Sequence, residues 1–201
     1  MKIKAKHLAT AILMTIATSG CKQEKQPTWT ESEKVLITQE IDTRMRLVTI
    51  ETEEDSLFLR NSCLPLSKED LTTPEFEQLK KRMLLTVTNP ENEGVGIAAP
   101  QVGIGRQLIA VQRIDKKGMP FEFYVNPQLT YLSEEKRTGR EGCLSVPDRN
   151  GNVTRSEWVV VTHNDMGTYE LRHDTIRGFT AVIFQHETDH LNGILYIDKV
   201  E

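Results

Sequence analysis

The sequence predicts an α+β domain, and three observations carry that reading. Phe76, Leu79, Met83 and Val87 recur at helical spacing, so one face of residues 74–87 belongs to a core. A run of β-branched and alternating segments follows between residues 107 and 171, without helices interleaved. A second helical stretch, roughly Thr180–Leu191, closes the pattern. Strands in one run, with a helix on either side, favour α+β over alternating α/β.

Composition fits that class. The 201 residues, 38% hydrophobic and 27% charged, suit one soluble domain with a tail and exclude a polytopic membrane protein, a collagen-like chain or a wholly disordered one. Lys and Arg total 25 against 29 acids, a net charge of −4, so no overall positive charge argues for nucleic acid. Three cysteines do not make a disulfide framework.

The N-terminus reads as an address. Lys2, Lys4 and Lys6 give a basic start, and Leu8 to Gly20 then run without a charged side chain. That stretch is shorter than the roughly 20 apolar residues a bilayer span requires, but it suits a secretory signal. It ends Thr18-Ser19-Gly20-Cys21 before the polar Lys22-Gln23-Glu24-Lys25. The arrangement resembles a bacterial lipoprotein signal, with residues 1–20 removed and Cys21 lipidated. Thr18 departs from the Leu, Val or Ile preferred three residues before the Cys. Removal would take three lysines and no acid, so a lipid would be the only membrane tether of a more acidic chain. Residues 21–56 read as a polar tether of low order, with one short strand near Arg46–Ile50.

The compact domain is expected over 57–201. Thr72-Thr73-Pro74-Glu75 has the hydroxyl, proline and acid of a helix start. A Gly-rich loop at 94–105 precedes a strand at Gln107–Ile114. Further strands are expected at Phe121–Val125 and Leu129–Leu132, broken by Asn126-Pro127, then at Trp158–Thr162 and Thr168–Leu171. Gly193 is placed to end the last helix.

His186-Glu187-Thr188-Asp189-His190 is the chemical signal. Two His at i and i+4 point from one helix face and can reach a single ion. Glu187 lies between them, close enough to hold or deprotonate an ion-activated water. Phe179, Ile183, His186 and His190 fall on one stripe, read as the buried side. Where a metzincin places its third His this chain has Tyr196, so a third ligand is expected upstream. The candidates are Cys63, Cys143, and His163 with His173. Cys143, in Glu141-Gly142-Cys143-Leu144-Ser145, would complete a Cys-His-His set with one open position; Cys63 reads as a small buried hydrophobe and the two His as surface residues. Gly94-Val95-Gly96 with Ala99 and Asp115 imitates a dinucleotide fingerprint, but no strand precedes it and Pro100 sits where the helix should open.

Gly94-Val95-Gly96-Ile97-Ala98-Ala99-Pro100-Gln101, Glu141-Gly142-Cys143-Leu144-Ser145 and Gln185-His186-Glu187-Thr188-Asp189-His190-Leu191-Asn192-Gly193 resemble, in order and spacing, the three motifs of the peptide deformylase family. Leu59–Leu66 is similar to the family's N-terminal segment, and the resemblance runs from about Leu57 to Val200. Arg140 departs from a position where the family often has Glu. The resemblance implies mixed, mostly antiparallel strands packed around a C-terminal metal-binding helix. It implies hydrolysis of the N-formyl amide of formyl-methionyl peptides or proteins, releasing formate. One divalent ion, Fe2+ with Zn2+ or Ni2+ as substitutes, would be held by Cys143, His186 and His190. Glu187 would move the proton, the Gln101 side chain and the Leu144 backbone N–H would stabilise the developing oxyanion, and backbone groups of Gly96, Ile97 and Gly142 would pair with the peptide. Asp189 and Arg155 resemble a pair supporting the ligands, with a surface ion pair as the alternative.

Location conflicts with this chemistry, since an oxidising compartment threatens ferrous iron and the Cys143 thiolate. An exported, Cys21-anchored enzyme is the first expectation and a cytoplasmic one the alternative. An exported lipoprotein using the fold as a binding module, or acting on other formyl amides, is a further alternative, as is a general metalloprotease.

Overall fold

The computed structural model describes residues 29–92 and 94–201. The expected signal at 1–20 and Cys21 lie outside the described residues.

The segment expected as a loose tether instead packs on the domain from Trp29 onward. Thr30 caps helix α1 (Glu31–Thr38) through a reciprocal capping box with Glu33. Trp29, Ile37 and Met45 join the same core cluster as Phe76, Leu79 and Met83, and Val48 is also buried. These apolar side chains are too widely spaced among polar neighbours to show a period, so the sequence pattern reads as tether. Arg106 reinforces the docking: it is buried, pairs with Glu33 at 2.7 Å, and lies 5.2 Å over the Trp29 ring. Residues 46–50 are not a sheet strand, yet Val48 N–H donates to the Gln101 carbonyl at 2.9 Å and Ile50 N–H to that of Ser145 at 3.0 Å. The acidic run at the expected end of the tether is the first turn of α2 (Glu53–Leu59), capped by Thr52. Acids there face the positive end of the helix dipole.

Helix α3 (Pro74–Val87) has Thr73 as its cap and buries Phe76, Leu79, Met83 and Val87, as the sequence spacing predicts. Strands β1 (Gly96–Ala98), β2 (Leu108–Gln112), β3 (Phe121–Leu132), β6 (Trp158–Asn164) and β7 (Leu171–Arg177) form one antiparallel sheet in the order β1-β2-β3-β6-β7. The two strands expected on either side of Asn126-Pro127 are one strand with a bulge, the register shifting between Val125 and Gln128. Asn126 adopts φ 51° and exchanges side-chain hydrogen bonds with the Leu66 backbone at 2.8 and 2.9 Å, which holds the bulge in place. β7 begins later than expected because Asp165 Oδ1 accepts from the N–H groups of Gly167 and Thr168 and uses those residues in the turn.

A second sheet is the hairpin β4 (Lys136–Cys143) and β5 (Val146–Ser156). Gly139, Gly142 and Gly151 dilute its strand pattern, so the sequence does not announce it. Helix α4 (Gly178–Leu191) packs on β1 and β2, burying Ala181, Phe184 and Leu191. It ends as expected at Gly193, whose φ is 71° and where a Cβ would lie 2.2 Å from the Arg60 carbonyl oxygen. Among the described residues no helix is long and apolar enough to cross a membrane.

Candidate active site

The end of β4 faces the middle of α4, and the site lies between them. Residues two apart on a strand share a face, so β4 presents Glu141 and Cys143 together. Residues four apart on a helix do likewise, so α4 presents His186 and His190. The Cys143 thiol and one nitrogen of each imidazole lie within 4.8 Å of one another. Cys143 Sγ is 3.2 Å from His190 Nε2, and the two His rings are 5.1 Å apart. The other upstream candidates lie elsewhere. Cys63 is buried in the sheet core, its thiol pushed up to about 12 by burial. His163 pairs with Asp174 at 3.2 Å, and His173 is exposed.

These donors fit one divalent ion. A thiolate and two imidazoles suit zinc, iron or nickel, and one position would stay open for water or substrate. The supporting hydrogen bonds suit it too: His186 Nδ1 meets Glu141 Oε2 at 2.8 Å, which leaves Nε2 to face an ion. Glu141 is held in turn by Arg155, at 2.8 and 3.0 Å, and Arg155 also donates to Asp189 at 2.5 Å. Arg155 is 4% exposed, so its contact with Asp189 is part of an interior network rather than a surface ion pair. Burial would raise the Glu141 carboxyl, but hydrogen bonds from His186 and Arg155 outweigh it and hold the group at about 2.

Glu187 is buried, and its Oε2 has no hydrogen-bond partner among the described residues. Burial pushes its carboxyl up to about 7, against the opposing influence of His186. Such a group can accept a proton near neutral pH and return it. Gln101 lies in the 3-10 turn after β1; its Oε1 accepts from Ala98 N–H at 2.8 Å, aiming Nε2 at Cys143 Sγ, 3.4 Å away. Leu144 occupies the two-residue turn between β4 and β5, directly after Cys143.

A cavity of about 400 Å³ opens beside these groups. Gly96 and Gly142 reach it, with Leu144, Val182 and Ile183 as apolar lining. Ile97 is wholly buried on β1, an outer strand of its sheet, and does not line the cavity. The helix stripe read as the buried side is therefore in part a cavity wall: Phe179 is 50% exposed at its edge. The orienting contact of Glu141 on His186 was not assigned from sequence, although its place two residues before Cys143 is the signal for it. Val182, off the stripe of Phe179, Ile183 and His186, lines the cavity as well, and the sequence does not single it out.

A family model described as polypeptide deformylase matches residues 45–201. The peptide deformylase of Synechocystis sp. is 40% identical over 145 residues, 71% of this chain and 74% of the relative. That of Halothermothrix orenii is 47% identical over 108 residues, 54% of this chain and 68% of the relative. A Met-Ala-Ser-bound class I type b peptide deformylase from Acinetobacter baumannii aligns in structure with a TM-score of 0.70 and 35% identity, covering 79% of this chain and 99% of that one. With a Cys-His-His group and the buried Glu187 in the matching region, the chain belongs to the polypeptide deformylase family.

Proposed function

We propose that the cleft between β4 and α4 hydrolyses the N-formyl amide of formyl-methionyl peptides, with Glu187 moving the proton and Cys143, His186 and His190 holding one divalent ion. Ferrous iron is the expected ion, and zinc or nickel suit the same donors. When bound, the ion supplies Lewis-acid chemistry, lowering the pKa of a water and polarising the formyl oxygen. Glu187 takes the proton from the attacking water and delivers it to the leaving amine. The Gln101 amide and the Leu144 backbone N–H donate to the formyl oxygen as it gains negative charge. Backbone groups of Gly96, Ile97 and Gly142 pair with the extended peptide, and the apolar cavity takes the methionine side chain. Glu141 holds His186 in one tautomer and orientation throughout.

The observation that carries this reading is the buried Glu187 carboxylate oxygen, left without a hydrogen-bond partner among the described residues beside the Cys-His-His group. The Acinetobacter baumannii relative described as bound to Met-Ala-Ser supports a peptide as the occupant. The test is formate release from a formyl-Met peptide by the iron-loaded chain, kept anaerobic, with Glu187→Ala alongside. Release that is lost in the variant and on chelation supports the assignment. A folded, metal-loaded chain that releases no formate would sink the enzyme and leave the fold serving as a binding module.

The N-terminal pattern supports a second reading, of location. The basic start, the uncharged stretch Leu8–Gly20 and Cys21 favour an exported enzyme tethered by lipid over a cytoplasmic one. Fatty-acid labelling that disappears in Cys21→Ala supports the tether; an unlabelled chain in the soluble cell fraction returns the enzyme to the cytoplasm.

A further inference from the structure

We propose that Arg140 makes this site select formyl peptides that carry a carboxylate just after the formyl-methionine, either on an acidic side chain or at a free C-terminus. The inference rests on the deformylase reading of the cleft and specifies its substrate class.

Arg140 and Arg149 stand apart from the other arginines. Arg44, Arg46, Arg60, Arg106, Arg113, Arg137, Arg155 and Arg172 each meet a carboxylate. Arg82 donates to backbone carbonyls, and Arg177 lies over the Trp158 ring. Arg140 and Arg149 are exposed and engage no ion pair, side-chain hydrogen bond or ring among the described residues. Both flank the catalytic turn. Arg140 lines the cavity that holds Cys143 and Glu187; Arg149 lines the neighbouring groove past Leu144.

Their surroundings differ. The carboxylates lining the Arg140 cavity among the described residues are Glu141, committed to Arg155 and His186, and Glu187, buried beside the ligands. Neither competes for the Arg140 guanidinium. Arg149 shares its groove with Glu51 and Asp148, which offset its charge toward an incoming anion. Arg140 is therefore the dominant determinant and Arg149 the lesser one.

Placement agrees with this role. Arg140 lies two residues before Gly142 on β4, on the same strand face. An extended peptide that pairs at Gly142 advances about 3.4 Å per residue, so the residues after methionine pass within the sweep of a long, flexible side chain at 140. An arginine in fork geometry binds a carboxylate through two parallel hydrogen bonds and draws it from beyond contact range at low salt.

The experiment compares three formyl tripeptides differing only in the residue after methionine: aspartate, asparagine or lysine. Each is prepared as C-terminal amide and free acid and is turned over by the full-length iron-loaded chain. The expected order of kcat/KM is aspartate over asparagine over lysine, with steps of about fivefold, the size of one exposed ion pair, residing in KM and shrinking in high salt. A preference for free acid over amide assigns the effect to the C-terminus; a preference within the amides assigns it to the side chain. In Arg140→Gln the ratio between aspartate and lysine peptides collapses, in Arg140→Glu it inverts, and in Arg149→Gln it falls less. Equal kcat/KM for all peptides at low salt, or a preference that survives Arg140→Gln, overturns the proposal. No turnover of any peptide, the neutral one included, removes the deformylase reading and this inference with it.

Discussion

A Cβ built on Gly96 would lie 2.4 Å from Glu187 Oε1, so the first residue of β1 is glycine because the glutamate fills that space. The same Cβ would meet Ile183 Cγ2 at 2.8 Å, one turn earlier on α4. Strand and helix thus approach each other at the proposed general base, and the missing side chain sets its position.

Gly96→Ala is expected to fold and still bind its metal while losing activity. A shift of about 1 Å at a catalytic group costs on the order of 100-fold in rate. Stopped-flow formate assays beside metal content would check this. Near-normal kcat would mean that Glu187 relaxes without loss of function.

Glu187→Gln keeps the shape of the side chain but cannot shuttle the proton. The expected loss in kcat is roughly 10²- to 10⁴-fold with metal affinity retained. Equal losses of metal and activity would instead make Glu187 a structural support of the ligands.

Glu141→Gln weakens the hold on His186 and leaves the Arg155 cation with Asp189 as its one carboxylate partner among the described residues. Metal affinity should fall about 10- to 100-fold, measured by competition with a chromophoric chelator. A thermal melt of the metal-free variant separates this from stability, because a buried arginine stripped of one partner also destabilises the fold.

The α1 docking contact titrates. Burial would raise the Glu33 carboxyl, yet hydrogen bonds from Arg106 and Thr30 outweigh it and hold the group below its ordinary value. Its contribution is therefore present above the unfolded carboxyl pKa and is lost as pH falls through the lower folded value. Glu33→Gln should cost about 1.5–3 kcal/mol near neutral pH, and the gap to the parent protein should close as pH falls through the lowered Glu33 value. Urea unfolding of both proteins across that range provides the measurement. No gap at any pH would mean that α1 is held by Trp29 and Ile37 packing alone.

Much of the molecule is legible locally. Thr73-Pro74 starts α3, Gly193 ends α4, and His186 and His190 share a face because of helix geometry alone. These features follow from residues within a few positions of one another, and sequence displays such relations directly. The third ligand is different. Spacing left Cys63, Cys143 and the distant His residues open, and the resemblance to known motifs favoured Cys143. Its closeness to His190 arises only when β4 is laid against α4.

What escaped the sequence was decided by long-range packing. Trp29, Ile37 and Met45 look like isolated apolar residues in a polar leader until α3 and Arg106 supply the surface they cover. Asn126-Pro127 reads as a strand break until the Leu66 backbone turns it into a bulge. Glu141 acquires its role from a helix 45 residues away in sequence. The sequence by itself determined the helix caps, the paired histidines and the chemical types present at the site. Tertiary structure alone decided which of those groups meet, because hydrogen bonds and apolar contacts act over a few ångströms of space, whatever the separation along the chain.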